Sequence, residues 1–155
     1  KIGAAGICGS DLHILAGDIK ERLGVFSFYV DNVHHNLINR ILNDRFGIQL
    51  RGGCSCAGTY GHFLLNVDFQ LSKKITDKID AGDLSMKPGW VRLSLHPTMT
   101  NDELLFILDA IRQTVDNSKE WEKDYSYDRR TNEFIHRKFA ENSHSIHSKW
   151  FILNS

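Results

Sequence analysis

The stretch Leu23-Gly-Val-Phe-Ser-Phe-Tyr-Val30, followed by an amphipathic segment that stops at Gly47, does most to limit what this chain can fold into. The first part is rich in β-branched and aromatic residues and almost continuously apolar at its centre. That pattern suits a strand covered on both faces or nearly so. In the second part Leu37, Ile38, Ile41, Leu42 and Phe46 recur at helical spacing, with Arg40, Asn43 and Asp44 opposite. Asp31 or Asn32 is placed to cap this helix, and Gly47 to close it in the left-handed conformation. Ile48-Gln-Leu50 then reads as a short strand that delivers Arg51 at its end.

The same alternation continues. Gly52 to Tyr60 reads as a loop. Residues 68–80 read as a helix with Leu71, Ile75 and Ile79 as its buried stripe. Lys87-Pro88-Gly89 signals a turn before the strand Gly89-Trp-Val-Arg-Leu-Ser-Leu95. Thr100-Asn-Asp-Glu103 is a capping box, and the helix it opens is expected to bury Leu104, Leu108, Ile111 and Val115. After Asn117 the chain mixes charges with Trp121, Tyr125 and Tyr127, aromatics expected to pack against the core helix. A short helix is expected within 131–139, and Trp150-Phe-Ile-Leu153 reads as an edge strand or docked tail. These readings predict an α+β fold: a small mixed or antiparallel sheet with helices packed on one side. The expected divisions are an irregular segment 1–20, a small α+β domain 21–117 and a C-terminal extension 118–155 packed on it.

Composition narrows the partners. The 155 residues carry 19 basic and 19 acidic side chains, so no net field draws the chain to nucleic acid or to a charged membrane surface. No apolar run is long enough to span a bilayer. Three cysteines make no disulfide framework, no secretory leader is visible, and a reducing, cytoplasmic setting is expected.

Arg51-Gly-Gly-Cys-Ser-Cys-Ala-Gly58 carries the chemistry. Its glycines let backbone amides approach an anion closely. Arg51 offers a planar fork suited to a carboxylate or phosphate. A thiol beside such donors is expected to have a lowered pKa. The same residues also suit a tight turn with inert thiols. Arg92 lies inside an apolar strand, where a guanidinium needs a partner or a cleft. His34 and His35, at a helix start, read as solvated or ring-stacking. Cys54, Cys56 and His62 are one ligand short of a metal site, and none is expected.

Taken as a set, Gly47-Ile-Gln-Leu-Arg51-Gly-Gly-Cys-Ser-Cys56-Ala, Val91-Arg92-Leu-Ser and Thr100-Asn-Asp-Glu103-Leu resemble the C-terminal small domain of class V pyridoxal-phosphate enzymes. The nearest subtypes are the cysteine desulfurases and selenocysteine lyases, with the aminotransferases grouped beside them. The resemblance spans about residues 23–115. It implies that Cys56 takes up sulfur or selenium as the catalytic thiol, with Cys54 as a possible auxiliary thiol. It implies that Arg92 holds the substrate α-carboxylate and that Arg51 shapes the same site. A small amino-acid substrate, pyridoxal phosphate and a homodimer are implied with them. Cys54 and Ser55 stand where the family usually has a histidine pair. The family's Schiff-base lysine has no counterpart motif here, and Lys149 is only superficially similar. The chain alone is therefore expected to be inactive.

Two other readings stand beside this one. The chain can be a non-enzymatic, truncated α+β module. Gly6-Ile-Cys8-Gly-Ser-Asp11-Leu-His13 resembles the segment of zinc-dependent alcohol dehydrogenases that supplies a zinc cysteine, which implies a zinc-binding fragment.

Overall fold

The computed structural model describes residues 2–4, 24–54 and 65–140. Four strands form one antiparallel sheet: β1 (Ile2–Ala4), β2 (Gly24–Val30), β3 (Arg51–Gly53) and β4 (Trp90–Leu95). Their spatial order is β1-β2-β4-β3, so β2 and β4 are central and β3 is an edge. Helix α1 (His35–Phe46) joins β2 to β3, and α2 (Phe69–Asp80) lies between β3 and β4. The long helix α3 (Asn101–Trp121) follows β4 and leads through a 3-10 turn into the hairpin β5 (Tyr125–Asp128) and β6 (Glu133–His136). A one-turn helix, α4 (Arg137–Ala140), comes next. The fold is α+β, with a small antiparallel sheet, as the periodicities predict. Among the described residues no helix is long and apolar enough to cross a membrane.

The sheet and helices share one core. Val30, Val91, Ile38, Leu42 and Ala110 are buried together, which places α1 and α3 on the face of the sheet that Val91 presents. Each fully buried aliphatic side chain contributes about 1.5–3 kcal/mol of transfer free energy. A second cluster joins Leu37 and Ile41 of α1 to Tyr125 and Phe134 of the hairpin, with Trp121 and Tyr127 against it. The aromatics after Asn117 thus pack on a core helix, and that helix is α1. Arg45 adds to the join, lying 4.2 Å over the Trp121 ring and 2.7 Å from Asp124.

Helix ends follow local chemistry, with one exception. Gly47 closes α1 at φ 69°, and its N–H donates back to the Asn43 carbonyl. Asp68 caps α2, and Thr100 and Glu103 form the expected reciprocal box on α3. The cap of α1 is neither Asp31 nor Asn32 but His34, whose Nδ1 accepts from the Asn36 N–H at 3.1 Å.

Four expectations are corrected. The third strand lies at Arg51–Gly53 rather than at residues 48–50. In α2 only Ile75 is buried, and Leu71 is exposed. In α3 the buried residues are Ile107, Ala110, Thr114 and Ser118; of the expected stripe Ile111 and Val115 do pack half-buried against the core, while Leu108 is 51% exposed. The sheet and α1 sit one step round the helix from the Leu104–Leu108 stripe. Of the short helix expected over residues 131–139 only the part from Arg137 is helical, and residues 133–136 form a strand instead. Asn132, at φ 62°, turns the chain there, and the Tyr127 hydroxyl donates to its Oδ1 at 2.7 Å.

Candidate anion-binding site

Strand registry brings the two predicted arginines together. Arg51 of β3 is the direct cross-strand partner of Arg92 of β4. On the other side of Arg92 its partner is Ser27 of β2. Residues directly opposite in a sheet point the same way, with Cβ atoms about 4.5–5.5 Å apart. Val91 faces the helices, so its neighbour Arg92 faces away from them, because successive side chains alternate. A row Ser27–Arg92–Arg51 therefore crosses three strands on the face turned away from α1 and α3. The sequence reading missed Ser27. Its signal is a single serine among the apolar and aromatic residues of β2.

The electrostatics of that row are unusual. Arg92 is half-buried, Arg51 exposed, and neither has an ion-pair partner among the described residues. The Nε of Arg92 is buried with no hydrogen-bond partner. Like charges directly opposite in a sheet repel. A buried donor left unpaired costs about 1–3 kcal/mol. One anion lying across the pair removes both penalties. A carboxylate or phosphate suits the planar, bidentate geometry of guanidinium.

Glycines at 52 and 89 fix the position of β3 from the helix side. A Cβ on Gly52 would run into the Asn39 amide nitrogen and lie 2.7 Å from Asn36 Oδ1. A Cβ on Gly89 would lie 2.7 Å from the His35 ring and 2.8 Å from the Gly53 Cα. So Gly52 serves close packing of α1 on β3, a different use from the anion contact expected of it. His35 is buried at 7% exposure and stacks on His34 at 4.3 Å between ring centroids. Burial, helped by the charges of His34 and Lys87, lowers its pKa to about 4. It is a neutral packing ring at neutral pH. The stacking expected of the two histidines is present; the solvated alternative is not.

Cys54 follows β3 directly. Its thiol donates to the Pro88 carbonyl at 2.6 Å and ties the end of β3 to the turn before β4. Burial raises its pKa, only partly opposed by Lys87. The lowered pKa expected of a thiol in this loop is corrected at Cys54. Cys56 and His62, and Cys8, Asp11 and His13 of the N-terminal segment, lie outside the described residues, as does Lys149.

A family model described as Aminotransferase class-V matches residues 10–106, which is more than half of the chain and takes in the whole arginine row. The chain belongs to the class-V aminotransferase family. Comparison with proteins of curated function gives no match, and neither does comparison with solved structures. Class-V aminotransferases depend in general on pyridoxal phosphate. The described residues of this family member fit only part of that chemistry. The arginine row fits an anion. The described lysines do not fit a Schiff-base role: all are exposed except Lys78, which is half-buried and pairs with Asp83 at 3.5 Å. A lysine that condenses with a carbonyl needs desolvation or a neighbouring cation to lower its pKa. No step through the cofactor is therefore assigned to the described residues of this class-V chain.

Proposed function

We propose that this chain supplies the substrate-carboxylate side of a class-V pyridoxal-phosphate enzyme of the cysteine desulfurase or selenocysteine lyase type, as a C-terminal small domain. The observation that carries the reading is the cross-strand pair of Arg51 and Arg92, with a buried, unpartnered Nε on Arg92. The substrate is a small amino acid. Arg92 holds its carboxylate through charge-assisted hydrogen bonds, and Arg51 closes the other side of the same anion. Ser27, beside Arg92 in the sheet, can donate a third hydrogen bond.

Support for the desulfurase subtype comes from resemblance at the Arg51–Cys56 loop. In that reading Cys56 is the thiol that takes sulfur or selenium. Cys54, held as a neutral donor to Pro88, is a structural tie rather than a second nucleophile. The cofactor lysine is supplied from outside the described residues, and the isolated chain is inactive.

Calorimetric titration of the chain with a small amino acid tests the carboxylate reading. The wild type binds. Arg92→Ala binds at least about tenfold more weakly, because each lost charge-assisted bond costs about 1.5–3 kcal/mol. Equal affinity in the two would refute the reading. In an enzyme assembled with the cofactor-binding portion, Cys56→Ala should abolish sulfide release and leave cofactor absorbance intact. Retained sulfide release would point to an aminotransferase instead.

A further inference from the structure

Arg51 and Arg92 carry more charge than one carboxylate removes. The pair holds two positive charges, and an α-carboxylate lying across it brings one negative charge. Away from the row, Arg40, Arg45, Lys78, Arg112 and Lys123 each stand within 3.5 Å of a carboxylate. The strand registry does the reverse at the row: it sets two guanidiniums side by side, where like charges repel. The neighbouring rows on the same face, Val25–Ser94 and Trp90–Gly53, add no carboxylate. Nothing on these rows repels a second anionic group, and one positive charge is left to attract it.

We propose, resting on the carboxylate reading of Arg92, that the substrate is a dicarboxylic amino acid whose side-chain carboxylate goes to Arg51. A guanidinium has five N–H donors in a fixed fork, and a bidentate carboxylate engages two of them. Arg51 can therefore close over the α-carboxylate with one side of its fork and hold the second carboxylate with the other.

The two arginines are placed for different tasks. Arg92 is half-buried on a central strand, with Ser27 opposite it and Ser94 two residues on along the same face. It is fixed, as suits the group common to every amino acid. Arg51 is exposed on the edge strand and free to follow the part that varies. Gly53 lies two residues further along β3, and a Cβ there would meet nothing within 4 Å, so there is room beside Arg51. The side chain it selects is short. Cβ atoms directly opposite in a sheet are about 4.5–5.5 Å apart, so the two forks start from adjacent points and the two carboxylates belong a few bonds from one another. Aspartate meets that requirement. Asparagine does not, because its amide nitrogen brings donors to a guanidinium that has only donors.

Calorimetric titration of the full chain with L-aspartate and with L-asparagine tests the assignment. The two ligands share their size, ammonium group and α-carboxylate, so the ratio of their affinities isolates the side-chain charge. The wild type is expected to prefer L-aspartate by at least about tenfold, the minimum for a charge-assisted bond. Arg51→Gln keeps a polar side chain at an exposed position and loses the charge. In that variant the ratio should fall to about one, with thermal melting showing the fold retained. An aspartate preference that survives Arg51→Gln overturns the proposal. Equal affinity for the two ligands in the wild type, with both weakened in Arg92→Ala, overturns it and leaves the carboxylate reading standing. Binding of neither ligand overturns both.

Discussion

Arg51 and Arg92 face one another with no carboxylate between them among the described residues. Removing the exposed partner should therefore ease the fold while harming binding. Arg51→Ala is expected to raise stability at low ionic strength by a few tenths to about 1 kcal/mol. The gain should fade in about 1 M salt, where the screening length is about 3 Å. Urea unfolding at the two salt concentrations measures this, and a loss of stability at low salt would contradict it. His35 carries a second prediction. Its folded pKa, about 4, is depressed below the ordinary 6.5. Between those values the unfolded chain binds a proton that the folded chain refuses, so stability falls as pH drops through that window. His34, also lowered chiefly by burial, adds in the same direction. For His35 alone the loss is on the order of 2–3 kcal/mol, and His35→Gln should remove it in unfolding curves at pH 7 and pH 4.5. A third residue, Gly89, has the His35 ring and the Gly53 backbone within 2.8 Å of where a Cβ would go. Gly89→Ala should cost about 1–3 kcal/mol, as overpacking usually does. Gly52→Ala should cost less, because its two closest neighbours are the ends of the Asn39 and Asn36 side chains, which can swing aside.

Elements were legible in the sequence where the signal is local. Gly47 and the Thr100–Glu103 box each satisfy orphan backbone groups within a turn, and each sits where expected, while Asp68, read as the first helical residue, is the cap one position before α2. What could not be read depends on a partner distant in sequence. Arg51-Gly-Gly53 has poor strand propensity, yet it pairs with Trp90–Arg92 because α1 needs a strand without side chains beneath Asn36 and Asn39. In α3 the apolar residues are too many for one stripe. Leu104, Leu105 and Leu108 match helical spacing as well as Ile107 and Ala110 do, and only the position of α1 decides between them. Ile107→Ala should accordingly cost about 2–4 kcal/mol, and Leu108→Ala less than about 1 kcal/mol. Equal losses in chemical denaturation would mean that α3 is rotated from its position here. The hairpin was missed although Tyr125 and Tyr127 alternate with polar residues, and Asp128 and Asn132 are turn formers. Charge density masked a pattern that the apolar face of α1 completes.

At the scale of the whole molecule, two helices cover one face of a four-stranded sheet, and the other face aligns a hydroxyl and two guanidiniums across three strands. The two arginines were readable in the sequence as candidates, but only strand registry sets them opposite each other. The thiol of Cys56, the other half of the sequence reading, lies outside the described residues. Family membership and the arginine row therefore meet in the proposal that this face binds the carboxylate of an amino acid. The side-chain Nε–Hε resonance of Arg92, followed by NMR during titration with L-alanine, tests it most directly. A saturable downfield shift of that resonance, weakened in Arg51→Ala, is the predicted result. An Arg92 signal that stays fixed at saturating L-alanine would contradict the account.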